Sequence, residues 1–287
     1  MMNTIIREQT IPLADQYESI KKRIRNDPAF SNLSQICAFD DDQQSLTFKT
    51  EKIHPEVAGI GLCSVMLLFS NPHPLSVKTG IFLSEPRSRS FWARLFESQY
   101  MSPPDQIRNA IANWDSTTPE VLSECLMNCA YSRKVKLFFD CLEALPTNQY
   151  SHLNKLFQGE RGRALRKQAL RDPGFQNLVA VSKQNNISSW IVFSAEAYRR
   201  IIGERSIAKA APTKICKAID GYRSDHDSSR FWDSLGDMRK TINYETRPIK
   251  VYLSLIARYK YRKTENGEKY FTIMLNQILE DILGNRI

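Results

Sequence analysis

One passage of this chain is written twice. Asp27-Pro28-Ala29-Phe30-Ser31-Asn32-Leu33 returns as Asp172-Pro173-Gly174-Phe175-Gln176-Asn177-Leu178, 145 residues later, with five identities in seven positions. Phe91-Trp92-Ala93-Arg94-Leu95 returns as Phe231-Trp232-Asp233-Ser234-Leu235 at an offset of 140. The second match extends back without gaps to Pro72 and Pro212, pairing Leu75 with Ile215, Phe82 with Tyr222 and Ser88 with Ser228. Two collinear matches in 287 residues read as a tandem duplication. The expectation is two related modules, residues 1–148 and 149–287, meeting at Pro146-Thr147-Asn148-Gln149-Tyr150.

The shared motifs have a physical reading as structural anchors. Asp27 and Asp172 suit a helix N-cap, and Pro28 and Pro173 suit the first helical position, where the missing N–H costs nothing. Phe30, Leu33 and Cys37 then recur at i, i+3 and i+7, the spacing of one helical face, and Phe175 and Leu178 repeat its first two positions. The pairs Phe91-Trp92 and Phe231-Trp232, each followed by a leucine, read as core anchors.

Helical signals dominate the rest. Leu13, Tyr17, Ile20 and Ile24 make an amphipathic first helix. Ser45 to Thr50 alternates weakly, as a short extended segment does. Helices are expected over 55–69, 104–114, 119–130, 133–145, 195–209, 248–261 and 268–283, with Ser194 as the cap of the fifth. In the last, Phe271, Met274, Leu275, Ile278 and Ile282 form the apolar face. No βαβ alternation stands out, so the expected fold is mainly α, two tandem helical modules without a parallel sheet.

Several chemistries lack their signatures. Glycine-rich phosphate loops are absent, and no cofactor is implied. Six irregularly spaced cysteines read as free thiols of a reducing, cytoplasmic-type compartment. Cys125 and Cys129 lie one helical turn apart but lack the second pair that zinc needs, so no metal is expected. A cysteine enzyme would pair a thiol with His54, His73, His152 or His226, yet no local motif surrounds any cysteine. No apolar run approaches the roughly 18 residues of a membrane span.

Charge is the strongest pointer to a partner. The net charge is +9, and residues 1–150 carry 15 basic against 17 acidic side chains while residues 151–287 carry 25 against 14. Two basic stretches lie in the second half. Arg161, Arg163, Arg166, Lys167 and Arg171 cluster in eleven residues, and Arg258, Lys260, Arg262 and Lys263 interleave with Tyr259 and Tyr261. Such patches grip phosphates, on nucleic acid or on anionic lipid headgroups.

In style the chain resembles the type IV secreted effectors of Legionella and its relatives. The resemblance rests on a cysteine-containing chain without a secretory signal, on modules of short helices, and on the recurring Asp-Pro-x-Phe-x-Asn-Leu. It rests also on a C-terminus, from Glu268-Lys269 to Glu280-Asp281-Ile282-Leu283-Gly284-Asn285-Arg286-Ile287, that mixes acidic and apolar residues but is poorer in glutamate than the usual signal. It implies passage from a bacterial cytoplasm to a host cytosol and action on host proteins or membranes. It carries over no catalytic residue. The expected function is therefore a non-enzymatic binding or adaptor protein that engages a host protein or an anionic membrane through its basic second half. Nucleic-acid binding and a cysteine-dependent enzyme stand as alternatives.

Overall fold

The computed structural model describes residues 5–56, 61–86, 88–203, 211–244, 247–254 and 270–284. In chain order these form β1 (Ile6–Pro12), α1 (Tyr17–Asn26), β2 (Cys37–Asp40), β3 (Ser45–Glu51), β4 (Cys63–Phe69), α2 (Pro74–Thr79), α3 (Ser90–Phe96), α4 (Asp105–Ala112), α5 (Thr118–Met127) and β5 (Val135–Cys141). Then follow α6 (Tyr150–Leu156), α7 (Gly159–Arg166), α8 (Asp172–Gln184), β6 (Ser189–Val192), α9 (Ala195–Ile202), α10 (Ala211–Asp225), α11 (Ser228–Leu235), β7 (Arg239–Tyr244), β8 (Arg247–Leu253) and α12 (Tyr270–Gly284).

The expectation of a mainly helical protein is overturned by two sheets. Five strands pair in the order β5-β4-β6-β8-β7, parallel except for the edge strand β7, and three pair antiparallel in the order β1-β3-β2. The segments read as helices over 55–69 and 133–145 contain β4 and β5. The one read over 248–261 begins with β8, and its residues from 255 onward lie outside those described. All seven residues of β4 are buried, as are six of seven in β5 and all four in β6. A parallel strand covered on both faces has no polar side to alternate with, so its sequence is a continuous apolar run. Over 60–69 such a run carries no period that separates a buried strand from a buried helix.

The sheet also bears on the two modules. β4 and β5 precede residue 148, whereas β6, β7 and β8 follow it, and β4 hydrogen-bonds to β6 over Met66–Trp190, Leu67–Ile191 and Leu68–Val192. One apolar core holds residues of both halves, including Met66, Phe139, Trp190, Tyr252 and Met274. A second, smaller core gathers Leu13, Ile20, Ile24, Leu46 and Phe48 with Leu153, Leu156 and Phe157. The two sheets meet where Ile53 exchanges backbone hydrogen bonds with Phe139 on the edge of β5, at 3.0 and 2.9 Å.

The duplicated motifs adopt different structures. Asp27 accepts a bond from the Ala29 amide at 3.0 Å and opens a single 3-10 turn, Pro28–Phe30, which leads towards β2 rather than into a helix. Asp172 caps nothing. It follows a π-helical turn, Lys167–Arg171, that joins α7 to α8 in one continuous helical run. Pro173 cannot donate to the turn behind it, and a wider turn is one way for a helix to carry proline inside. The aromatic pairs agree better. Phe91 and Trp92 in α3, and Phe231 and Trp232 in α11, are all buried, with rings edge to face at 5.3 and 5.0 Å. Local residue chemistry is shared between the copies; tandem helical modules are not.

Candidate functional site

The order of the parallel strands marks one place for a ligand. β4 lies between β5 and β6, so the chain leaves β4 for one side of the sheet and returns to the other. Open sheets bind ligands in the crevice beyond the carboxyl ends of the strands at such a reversal. Here a cavity of about 180 Å³ lies in that position. It is lined by the residues that follow β4 (Ser70, Asn71, Pro72, His73), by those before and in α6 (Thr147 to Tyr150), and by Phe193 and Ser194 after β6.

Backbone and side-chain bonds hold these three segments together. Leu142 N donates to Phe69 O and Glu143 N to Ser70 O, both at 2.9 Å, while Phe193 N donates to Leu68 O at 2.9 Å. The Asn71 side-chain amide donates to Thr147 Oγ1 at 2.9 Å and to Pro72 O at 3.0 Å. Ser194 Oγ accepts from Ala197 N at 3.2 Å and starts α9, the capping role its sequence predicted.

Among the described residues four ionisable groups line the cavity: Glu51, His73, Glu85 and Tyr150. Glu51 ends β3, the central strand of the small sheet, and is only 1% exposed. Among the described residues neither of its carboxyl oxygens has a hydrogen-bond partner. Burial pushes its pKa well above the ordinary carboxyl value, and the nearby charge of Glu85 pushes it further the same way. His73 precedes α2, and its Nδ1 lies 3.2 Å from Leu75 N and 3.1 Å from Glu85 Oε1. Leu83, two residues before Glu85, holds a left-handed backbone with φ of 55°. That is strained for a branched side chain, and such strain gathers where surrounding structure demands a particular placement. Ser76 Oγ, buried in α2, also lacks a partner among the described residues. Phe69, Phe82 and Phe193 complete the wall, with ring centroids 5.5 and 5.2 Å from that of Phe69.

Tyr150 closes one side and is backed by a buried ionic group. Its hydroxyl donates to Glu143 Oε1 at 2.6 Å. Glu143 is fully buried and held by Arg166, through a contact from Nε and a 2.9 Å bond from Nη2, and by Arg171 Nε at 3.4 Å. The Tyr150 ring lies 5.0 Å from the Arg166 guanidinium and 5.7 Å from that of Arg200. Burial first, then Glu143, pushes the tyrosine's pKa up to about 12.

This accounts for part of the first basic stretch. Arg166 and Arg171 point inward to Glu143. Arg161 pairs with Asp15 at 3.4 Å and Lys167 with Asp172 at 2.6 Å, both near the surface, and Arg163 is exposed. Arg258, Lys260, Arg262 and Lys263 lie outside the described residues. Of the structural anchors, Phe30, Leu33, Phe91, Trp92, Leu178, Phe231 and Trp232 are buried, whereas Phe175 is half-buried, edge-on to Trp190 at 5.9 Å.

Five of the six thiols are shifted away from nucleophile character. Burial raises the pKa of Cys37 and of Cys125 to about 11, and it also raises those of Cys129, Cys141 and Cys216. A nucleophilic thiol needs the opposite shift. No cysteine lines the crevice, and among the described residues no cluster of His, Cys, Asp and Glu is placed to hold a metal. His54 instead serves Asp140: its Nε2 lies 3.0 Å from the carboxylate, which also takes a bond from Asn177 at 3.3 Å and sits 3.5 Å from Lys52. These contacts tie the segment after β3 and the helix α8 to β5. None of the described helices is long and apolar enough to cross a membrane.

The sequence singles out His73 only as one of four histidines that could serve a thiol, and Glu51 and Glu85 not at all, because the three come from separate segments that no local spacing links. The only local signal was His73-Pro74 at a helix start. No protein-family model matches the chain, and no curated protein matches it in sequence.

Proposed function

We propose that the crevice at the carboxyl ends of β4, β5 and β6 binds a small polar molecule and exchanges protons with it. The observation that carries this reading is Glu51. A buried carboxyl with neither oxygen satisfied costs roughly 1–3 kcal/mol of stability. A fold retains such a group where a ligand completes it, and Glu51 faces an open cavity. The volume suits a single ring-sized molecule, since a cavity of roughly 150 Å³ accepts benzene. Chemically the site has the two halves of acid–base work. Glu51 is kept protonated by burial and can donate. The Glu85–His73 pair can accept. Tyr150, held by Glu143 and the two arginines behind it, fixes the wall against which a ligand rests.

The test is direct. The side-chain carboxyl carbon of Glu51, followed by NMR, should report a protonated group at neutral pH. Ring-sized polar molecules should shift the amides of Ser70, His73, Glu85 and Ser194 saturably in the wild type, and less in Glu51→Gln. An ionised Glu51 at pH 7, or shifts that avoid these residues, would overturn the reading.

A further inference from the structure

The charge of the crevice narrows its ligand, and this step rests on the crevice being a ligand site. The protein is basic overall, at +9, yet among the described residues no lysine or arginine lines the cavity. Its ionisable groups among the described residues are two carboxyls, one imidazole and the Tyr150 phenol, whose raised pKa keeps it neutral, and the imidazole is 3.1 Å from one of the carboxyls. The nearby arginines stand behind Tyr150 and are occupied. Arg166 and Arg171 neutralise Glu143, and Arg200 pairs with Glu196 at 2.6 Å. An anion entering here would face Glu85 and a Glu51 unable to ionise beside it. A neutral alcohol would leave the charge of the site unchanged. An ammonium group brings three donors and no acceptor, which suits the two orphaned oxygens of Glu51 and the orphaned Ser76 hydroxyl. Three phenyl rings line the same cavity, and aromatic rings attract cations where water is excluded.

We infer that the crevice takes a small organic cation, an ammonium on a ring-sized apolar frame, with Glu51 and Glu85 as its counter-charges. Binding then transfers a proton out of the site, because a bound cation favours ionised Glu51. Release of a proton on binding means affinity rises with pH. Other titratable or charged groups around Glu51 are Glu85, His73, Cys141, Tyr150 and Lys52, and Lys52 is engaged by Asp140.

Three probes of one shape separate the possibilities: benzylammonium, benzyl alcohol and benzoate. Each is titrated calorimetrically into the full chain and into Glu51→Gln at pH 6 and pH 8, in two buffers of different ionisation enthalpy. Thermal unfolding of the variant checks that it is folded, and Glu85→Gln serves as a second variant should the first fail to fold. The cation is expected to bind about tenfold or more tighter than the alcohol, the worth of one good charged contact. Benzoate should bind weakest. Wild type should release protons and bind the cation more tightly at pH 8 than at pH 6. Glu51→Gln should lose the proton release and most of the preference. Benzyl alcohol or benzoate binding as tightly as the cation overturns the ligand class but leaves the crevice as a site. Benzylammonium that binds without shifting the crevice amides, and is indifferent to Glu51→Gln, overturns it too. If none of the three perturbs those amides, both the ligand class and the site reading fall.

Discussion

Glu51 shows how one side chain can work against its own fold. Its neighbours in β3, Leu46 and Phe48, are buried in the smaller core and repay their burial. Glu51 is buried at the strand's end without a partner, so Glu51→Leu should stabilise the protein by about 1–2 kcal/mol at neutral pH, read as a rise in denaturant midpoint. The pH dependence has a definite sign. Below the ordinary carboxyl value of 4.5 the folded and unfolded chains both hold the proton. Above it the unfolded chain releases the proton and the folded one keeps it, so stability falls with rising pH until the raised folded pKa is passed. Glu51→Leu should remove that fall. Asp140 acts in the other direction. Burial would raise its pKa, but the bond from His54 and the charges of Lys52 and His54 outweigh burial and hold it below the ordinary 3.8. Its stabilising contribution is complete above 3.8 and is lost as the solution is acidified below that. Nothing in Ser45–Glu51 as a sequence separates the acid that ends up buried from any other acid at the end of a strand.

At the scale of elements, a glycine decides how close a helix can come. A Cβ on Gly174 would lie 2.1 Å from the carbonyl oxygen of Leu142, just past the end of β5. The first turn of α8 is pressed backbone to backbone against the loop that leads into the crevice wall. Gly174→Ala should therefore destabilise by about 2–4 kcal/mol, as overpacking against an unyielding backbone does, measured by chemical denaturation. In the first copy of the motif the same place is Ala29, which sits in a 3-10 turn. Matching residues thus serve unlike elements. Amphipathic helices were legible because one face must stay wet: α1 buries Tyr17, Ile20 and Ile24, and α12 buries Phe271, Met274, Leu275, Ile278 and Ile282, as their spacing predicted. The strands β4 and β5 were not, since Cys-Ser-Val-Met-Leu-Leu-Phe and Val-Lys-Leu-Phe-Phe-Asp-Cys carry the signal of burial but not of period.

The whole molecule is joined across its middle by the five-stranded sheet and by one buried ion pair. Arg166 and Glu143 stand on opposite sides of residue 148 and are 2% and 0% exposed. Arg166→Leu leaves the Glu143 charge without its main partner and should cost about 3–5 kcal/mol, whereas adding Glu143→Leu should recover much of that. Residues 1–148 and 149–287 expressed separately are each expected to lack a cooperative thermal transition, because β4 would lose its pairing to β6 and the larger core would be divided. A cooperative transition in either piece would show that a half carries its own core. The sequence by itself determined which residues are buried in the amphipathic helices, where several helices start, and that two aromatic pairs anchor the interior, because those properties depend on neighbours three or four residues away. Only the tertiary structure decided that apolar runs become parallel strands, that Arg166 turns inward, and that Glu51, His73 and Glu85 share one cavity. Strand pairing and the burial of charge depend on segments brought together from far along the chain, and no local spacing records which of them will meet.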